Sequence, residues 1–165
     1  LGLMTMGYLE SIPKVNALAL RTDLNIIMQV IHHYGSFLMK YKQKLLNKQV
    51  AQAKPMWLAA PGFVPLKCMV VECNSSLRSE LGEAILKHTK IEGVPPCIAV
   101  VYHRNPDESW RVSLRSTLAY DVSRIALLLG GGGHAQAAGA TIKPPQTFDQ
   151  FFKPISAYKT KTKVS

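Results

Sequence analysis

The sequence predicts an α/β fold: a small mixed sheet flanked by helices and preceded by a helical connector. Three observations carry this. Two short apolar runs, Cys68-Met69-Val70-Val71 and the CIAVVYH run over 97–103, are continuous rather than alternating, as strands buried on both faces are. An amphipathic helical stretch lies between them. An apolar helix over 122–129 then runs into four consecutive glycines, a strong stop.

Taken in order, residues 12–34 read as one or two helices, with Asp23 a cap in the first turn of the second. Gly35-Ser36 punctuates, and Ser36 caps a long helix over 37–53 that ends before Pro55. On that helix Leu38, Tyr41 and Leu45 form an apolar stripe, extended by Ala53. Lys40, Lys44 and Lys48 form a basic stripe at i, i+4 spacing. Like charges so placed repel, which invites an anionic partner, although such a stripe is more often a solvated face. From Pro55 the pattern changes. Residues 56–60 make a short strand and 64–73 a longer one. Ser75-Ser76 cap a helix over 77–89, with Leu77, Leu81, Ile85 and Leu86 inward and Glu80, Glu83 and Lys87 outward. After the strand at 97–103, Asn105-Pro106-Asp107 turns the chain, and the alternation over 109–116 returns it as a hairpin partner. Tyr120 or Asp121 opens the helix over 122–129. Residues 137–142 fit a last strand, and 148–152 dock a terminal turn. The expected organisation is a connector over 1–54, an α/β domain over 55–143, and a terminal turn with a basic tail over 144–165.

Composition sets the outer limits. A chain of 165 residues, 47% hydrophobic and 18% charged, is one domain or one domain with an appendage. It can bury about two thirds of the surface its unfolded form exposes, so it needs no disulfide or structural metal to fold. Disorder, collagen and a cysteine-stapled miniprotein are excluded. No apolar run approaches the roughly 18 residues of a membrane span. The opening LGLMTMGYL lacks a basic leader and a cleavage pattern, and the start at Leu1 suggests a fragment of a longer chain. Cys68, Cys73 and Cys97 are odd in number without C-x-x-C spacing, and Cys68 and Cys97 sit in apolar runs. They read as small buried hydrophobes in an intracellular, reducing compartment, the cytoplasm first and the mitochondrion second. No zinc site is legible.

The net charge of +10 is uneven: +5 over 1–55, +1 over 56–142 and +4 over 143–165. Basic ends around a nearly neutral middle suit a polyanion such as nucleic acid, through a salt-sensitive attraction. A solubilising surface with a basic tail (Lys159, Lys161, Lys163) is the plainer explanation.

Two motifs carry chemistry. The first runs from Gly130 to Gly139, GGGGHAQAAG. Each glycine forfeits about 0.5–1 kcal/mol relative to alanine in regular structure, so close approach or unusual dihedrals must repay it. A glycine-rich loop can expose consecutive N–H groups to an anion, and His134 adds a ring donor. The plainer alternative is a helix stop followed by a tight helix–strand junction. With no G-K-[ST] there is no P-loop, and the loop follows a helix, so a dinucleotide fold is unsupported. The second motif is Ser113-Leu114-Arg115-Ser116 at a strand end, offering two hydroxyls and a bidentate guanidinium to phosphate or carboxylate. Asp121 either caps its helix or holds Arg115, the cap being favoured.

The SLRS run, then Asp121-Val122-Ser123 with Ile125-Ala126, then GGGGH and Ala137-Ala138-Gly139, resembles the C-terminal, DHH-associated domain of DHH-family phosphoesterases. That superfamily includes RecJ-type exonucleases, oligoribonucleotide and cyclic-dinucleotide phosphodiesterases and some exopolyphosphatases. The resemblance is strongest over 113–139, and the element order extends it over about 55–142. It implies a domain that binds substrate phosphate, beside a DHH domain that holds manganese (or magnesium) and hydrolyses the ester. Carried over residue by residue, Ser113, Arg115, Ser116, Gly131, Gly132, Gly133 and His134 match the binding positions. Nothing matches the catalytic ones: His32-His33 follow Ile31 rather than Asp, and adjacent histidines on a helix point about 100° apart. The chain alone is therefore expected not to hydrolyse anything. Its expected partners are a single-stranded oligonucleotide or another phosphorylated ligand and its own DHH domain, with no membrane. Two rival readings remain. One is a non-catalytic RNA-binding module of a ribonucleoprotein, similar to the C-terminal domain of alanyl-tRNA synthetases and using Lys40, Lys44, Lys48 and the tail. The other is an interaction scaffold whose glycine loop is only a turn.

Overall fold

The computed structural model describes residues 24–74 and 76–158, and the chain divides into two units, Leu1–Leu45 and Leu46–Ser165. The expectations for residues 1–23, for Ser75 and for the tail beyond 158 lie outside the described residues.

The first helix, α1 (Leu24–Val50), is continuous through Gly35-Ser36. The expected break there is corrected: an interior glycine costs about 1 kcal/mol relative to alanine, too little by itself to stop a helix of 27 residues. Ser36 is an internal residue and not a cap. The expected apolar stripe is open to solvent, with Leu38, Tyr41 and Leu45 all exposed. Lys40, Lys44 and Lys48 are exposed as well.

The second unit is a seven-stranded mixed sheet of β1 (Lys54–Leu58), β2 (Leu66–Glu72), β3 (Ile98–Arg104), β4 (Trp110–Ser116), β5 (Gly132–His134), β6 (Ala137–Ile142) and β7 (Phe152–Pro154). Their spatial order is β5-β6-β4-β3-β2-β1-β7. Among the described residues β2 and β3 are the neighbouring pair that runs parallel, joined by the helical crossover α2 (Arg78–His88). The remaining pairs are antiparallel. The expected cap of α2 is also corrected. Leu77 occupies the cap position without a side-chain cap bond, and Ser76 lies in the preceding turn.

Alternation along the strands sends residues to two cores. Val100, Val112, Leu114, Ala138, Ala140 and Ile142 face α3 (Val122–Leu128), which contributes Val122, Ile125 and Ala126. On the opposite face Met69, Val71, Ala99 and Val101 meet Leu81 and Ile85 of α2 and Leu46 from the end of α1. The C-terminal segment belongs to the same sheet. The short α4 (Phe148–Phe151) opens with the Thr147 backbone N–H donating to Gln150 Oε1 at 3.2 Å. Phe148 stacks between Tyr102 and Phe152, with ring centroids 4.1 and 4.3 Å away. Phe152 is fully buried, and β7 pairs with β1, so the sheet continues beyond residue 143.

Candidate functional site

Helical cover differs between the two faces at one end of the sheet. α3 packs over β4, β5 and β6, whereas α2 packs over β3 and β4. On the α2 face, β6 and β5 therefore extend beyond the helix. The pairing decides what stands there. Arg115 of β4 is opposite Ala137 of β6, and Ala137 is opposite His134 of β5. One row further along, Ser113 is opposite Gly139 and Gly139 opposite Gly132. Directly paired residues share a face, so Arg115, Ser113 and His134 rise on the same side. Between them lies a floor of alanine and glycine. Two inter-strand spacings put Arg115 and His134 backbones about 9–10 Å apart, an opening a phosphate group can enter.

Arg115 is held, not loose. Its Nη2 donates to Ser79 Oγ at 2.8 Å and its Nη1 to the Leu114 carbonyl at 3.1 Å. The stem passes over Gly82 of α2, where an added Cβ would sit 2.7 Å from Arg115 Cγ. Gly82 thus lets the helix ride close enough for Ser79, three residues earlier, to reach the guanidinium. Neither residue was singled out from the sequence, although a glycine inside an amphipathic helix is the kind of unpaid cost that signals close packing. A guanidinium has five N–H donors. With two engaged, three remain for an anion, and no ion pair to Arg115 forms among the described residues. His134 is exposed, and among the described residues its ring makes no hydrogen bond.

The other expected site residues sit differently. Ser116 is buried on the α3 face, away from Arg115, where its hydroxyl donates to the Tyr120 carbonyl at 2.6 Å with the Ala135 carbonyl 3.2 Å away. It ties the strand end to two loops. The glycine run is largely a junction and not an open nest of N–H groups. Gly130 takes φ +78° after α3, and the N–H groups of Gly130 and Gly131 donate to the Leu127 and Ala126 carbonyls. A Cβ on Gly131 would lie 2.1 Å from the Gly139 oxygen, and one on Gly133 2.5 Å from Ala138 Cα, so both are glycine because β6 is against them. Gly132 differs. A Cβ there would meet nothing within 4 Å, which leaves open space on the His134 side of the floor. Asp121 is the helix cap: its Oδ1 accepts from the Ser123 N–H at 2.9 Å and from the Ser123 hydroxyl at 2.5 Å. These bonds hold its carboxyl below the usual range. Lys40, Lys44 and Lys48 lie on α1 and are exposed. Among the described residues no cluster of three or more His, Cys, Asp or Glu could hold a metal ion, and His32 and His33 are both exposed. No described helix is long and apolar enough to cross a membrane. The cysteines are free. Cys68 and Cys73 are buried, Cys97 is half-buried, and burial pushes the Cys68 thiol up.

A mixed sheet with helices on both faces and a basic, small-floored strip on one of them defines an α/β domain. Residues 67–161 match the model of the DHHA1 domain, and the chain belongs to that family, the DHH-associated domains of DHH phosphoesterases. Over 53 residues it is 45% identical to the bifunctional oligoribonuclease and PAP phosphatase NrnA of Thermus thermophilus, a match covering 32% of this chain and 16% of that protein. Among solved structures it is similar to the pGpG-specific phosphodiesterase PggH from Vibrio cholerae (15% identity, TM-score 0.38, 75% of this chain and 47% of that one). It is also similar to a protein from Helicobacter pylori (17% identity, TM-score 0.39, 74% and 28%). The chain thus spans about a sixth of the curated relative and less than half of either structure.

Proposed function

We propose that this chain is the part of a DHH-type phosphoesterase that grips the phosphates of an oligonucleotide, while a separate DHH domain holds the metal and hydrolyses the ester. The observation that carries this reading is the shared face of Arg115, Ser113 and His134 above the Ala137–Gly139 floor. Arg115, pre-set by Ser79 and Gly82, presents its remaining N–H groups to a phosphate with little ordering left to lose. The Ser113 hydroxyl and the His134 ring add donors from either side. The strip then fixes one phosphate so that its neighbour lies where a catalytic domain acts, a gain of position and orientation. On this reading manganese or magnesium belongs to that other domain. Of the two substrates in that relative's description, an oligoribonucleotide and PAP, this reading takes the first, whose row of phosphates suits donors set along β4.

The test is fluorescence anisotropy of a short labelled single strand, titrated with the wild type, Arg115→Ala and Arg115→Ala/His134→Ala at low and near-physiological salt. Arg115→Ala is expected to cost about 1.5–3 kcal/mol of binding, more than tenfold in Kd, as charge-assisted bonds do. Unchanged binding in that variant ends the clamp. If all proteins bind alike and salt abolishes binding in each, the affinity belongs to the basic ends. The exposed Lys40, Lys44 and Lys48 row would then carry the reading of a non-catalytic RNA-binding module.

A further inference from the structure

The strip does not end at Ser113. Following β4 two residues further brings Arg111 to the same face, opposite Thr141 of β6. Arg111 is exposed, and its guanidinium makes no hydrogen bond or ion pair among the described residues. It lines a cleft of about 300 Å³ whose other walls are Thr141, Gly139 and the Gly130–Gly132 turn. That volume exceeds what one phosphate fills, and the side-chain-free wall at Gly132 leaves the space open. Four residues along a strand separate Arg111 from Arg115 by about 13–14 Å. Ala137, Gly139 and Thr141 run between them as a continuous low floor.

We propose that Arg111 and this cleft form a second phosphate subsite. The preferred ligand is then a single-stranded oligonucleotide long enough to bridge Arg115 and Arg111, and a dinucleotide engages Arg115 alone. This rests on the phosphate-gripping reading of Arg115 and names the length of chain that site accepts. A stacked strand advances about 3.4 Å per phosphate, so the separation matches about four steps, and fewer when the strand is splayed. The room beside Arg111 takes the sugar and base that accompany the second phosphate.

The experiment measures binding of labelled oligonucleotides of two and five nucleotides to the full chain as wild type, Arg111→Ala and Arg115→Ala. The wild type is expected to gain about tenfold in affinity from the shorter to the longer ligand, the value of one charge-assisted contact. Arg111→Ala is expected to remove most of that gain and to reduce the salt slope for the longer ligand by about 0.7, one phosphate contact on a single strand. Arg115→Ala is expected to weaken both lengths. An intact length gain in Arg111→Ala overturns the subsite, and so does a loss that is equal for both lengths, which would be a diffuse charge effect. Inorganic polyphosphate that displaces the five-nucleotide ligand as well as an unlabelled copy does overturns the assignment to an oligonucleotide. If Arg115→Ala binds both lengths as the wild type does, the phosphate-gripping reading itself falls, whatever Arg111 does.

Discussion

On one face of the sheet, α3 lies over β4, β5 and β6 and closes a core that runs from Leu58 to Ile142. On the other, α2 stops at β3 and β4 and leaves β6 and β5 uncovered. The same strand serves both. Val112, Leu114 and Ser116 of β4 are buried beneath α3, while Arg111, Ser113 and Arg115, one residue out of phase, stand on the α2 face. The placement of polar side chains along β4 therefore follows helix placement. A guanidinium under α3 would have to shed its water without a partner, a cost that side does not repay. On the α2 face it keeps part of its water, Arg115 half-exposed against the helix and Arg111 exposed.

Adjacent residues of β4 test this contrast most sharply. Leu114→Ala is expected to destabilise the fold by about 2–5 kcal/mol, since it empties a fully buried site. Arg115→Ala should cost less, about 1 kcal/mol, because two hydrogen bonds of a half-exposed side chain and some stem packing are lost. Chemical denaturation of both variants decides it. Equal losses would mean that the α2 face is closed too.

A second pair separates the glycines. Gly131→Ala drives a methyl group into β6 and should cost about 1–3 kcal/mol, whereas Gly132→Ala enters open space and should stay within about 0.5 kcal/mol. If thermal melts of the two variants coincide, the close approach of the turn to β6 is wrong.

The smallest expected effect concerns pH. Asp121 is held below the usual carboxylate value by its bonds from Ser123. A depressed carboxylate favours the folded state above the unfolded value, about 3.9 for Asp, and this contribution fades as pH falls through the lower, folded one. Asp121→Ala should therefore melt below the wild type at neutral pH, with the gap narrowing below about pH 4. A gap that is constant down to pH 2 would show that the cap works by shape and not by charge.

Much of the sheet was legible because its strands are coded locally. The apolar runs at 97–103 and 68–71, the alternation of 109–116 and the glycine stop after α3 each reflect one segment's own burial pattern. What could not be read is whatever depends on pairing. The sequence shows Arg115 and His134 nineteen positions apart, and only the β4-β6-β5 register places them in one row across Ala137. Ser116 was grouped with Arg115 by adjacency, and the period of the strand put it on the other face. Gly82 and Ser79 were passed over because their reason is a side chain from another element. The break at Gly35-Ser36 failed for the opposite cause: a local signal was stronger on paper than the roughly 1 kcal/mol it represents.

Both outer strands of the sheet, β5 and β7, are three residues long, the first two-thirds glycine and the second carrying Lys153 and Pro154. Long, flat, apolar borders invite a strand from another molecule, and short ones with lysine or proline refuse it. Among the described residues the sheet offers no long border on which a stranger's backbone could zip. The sheet is therefore expected to withstand concentration, or fusion to another protein, without seeding fibrils along its borders.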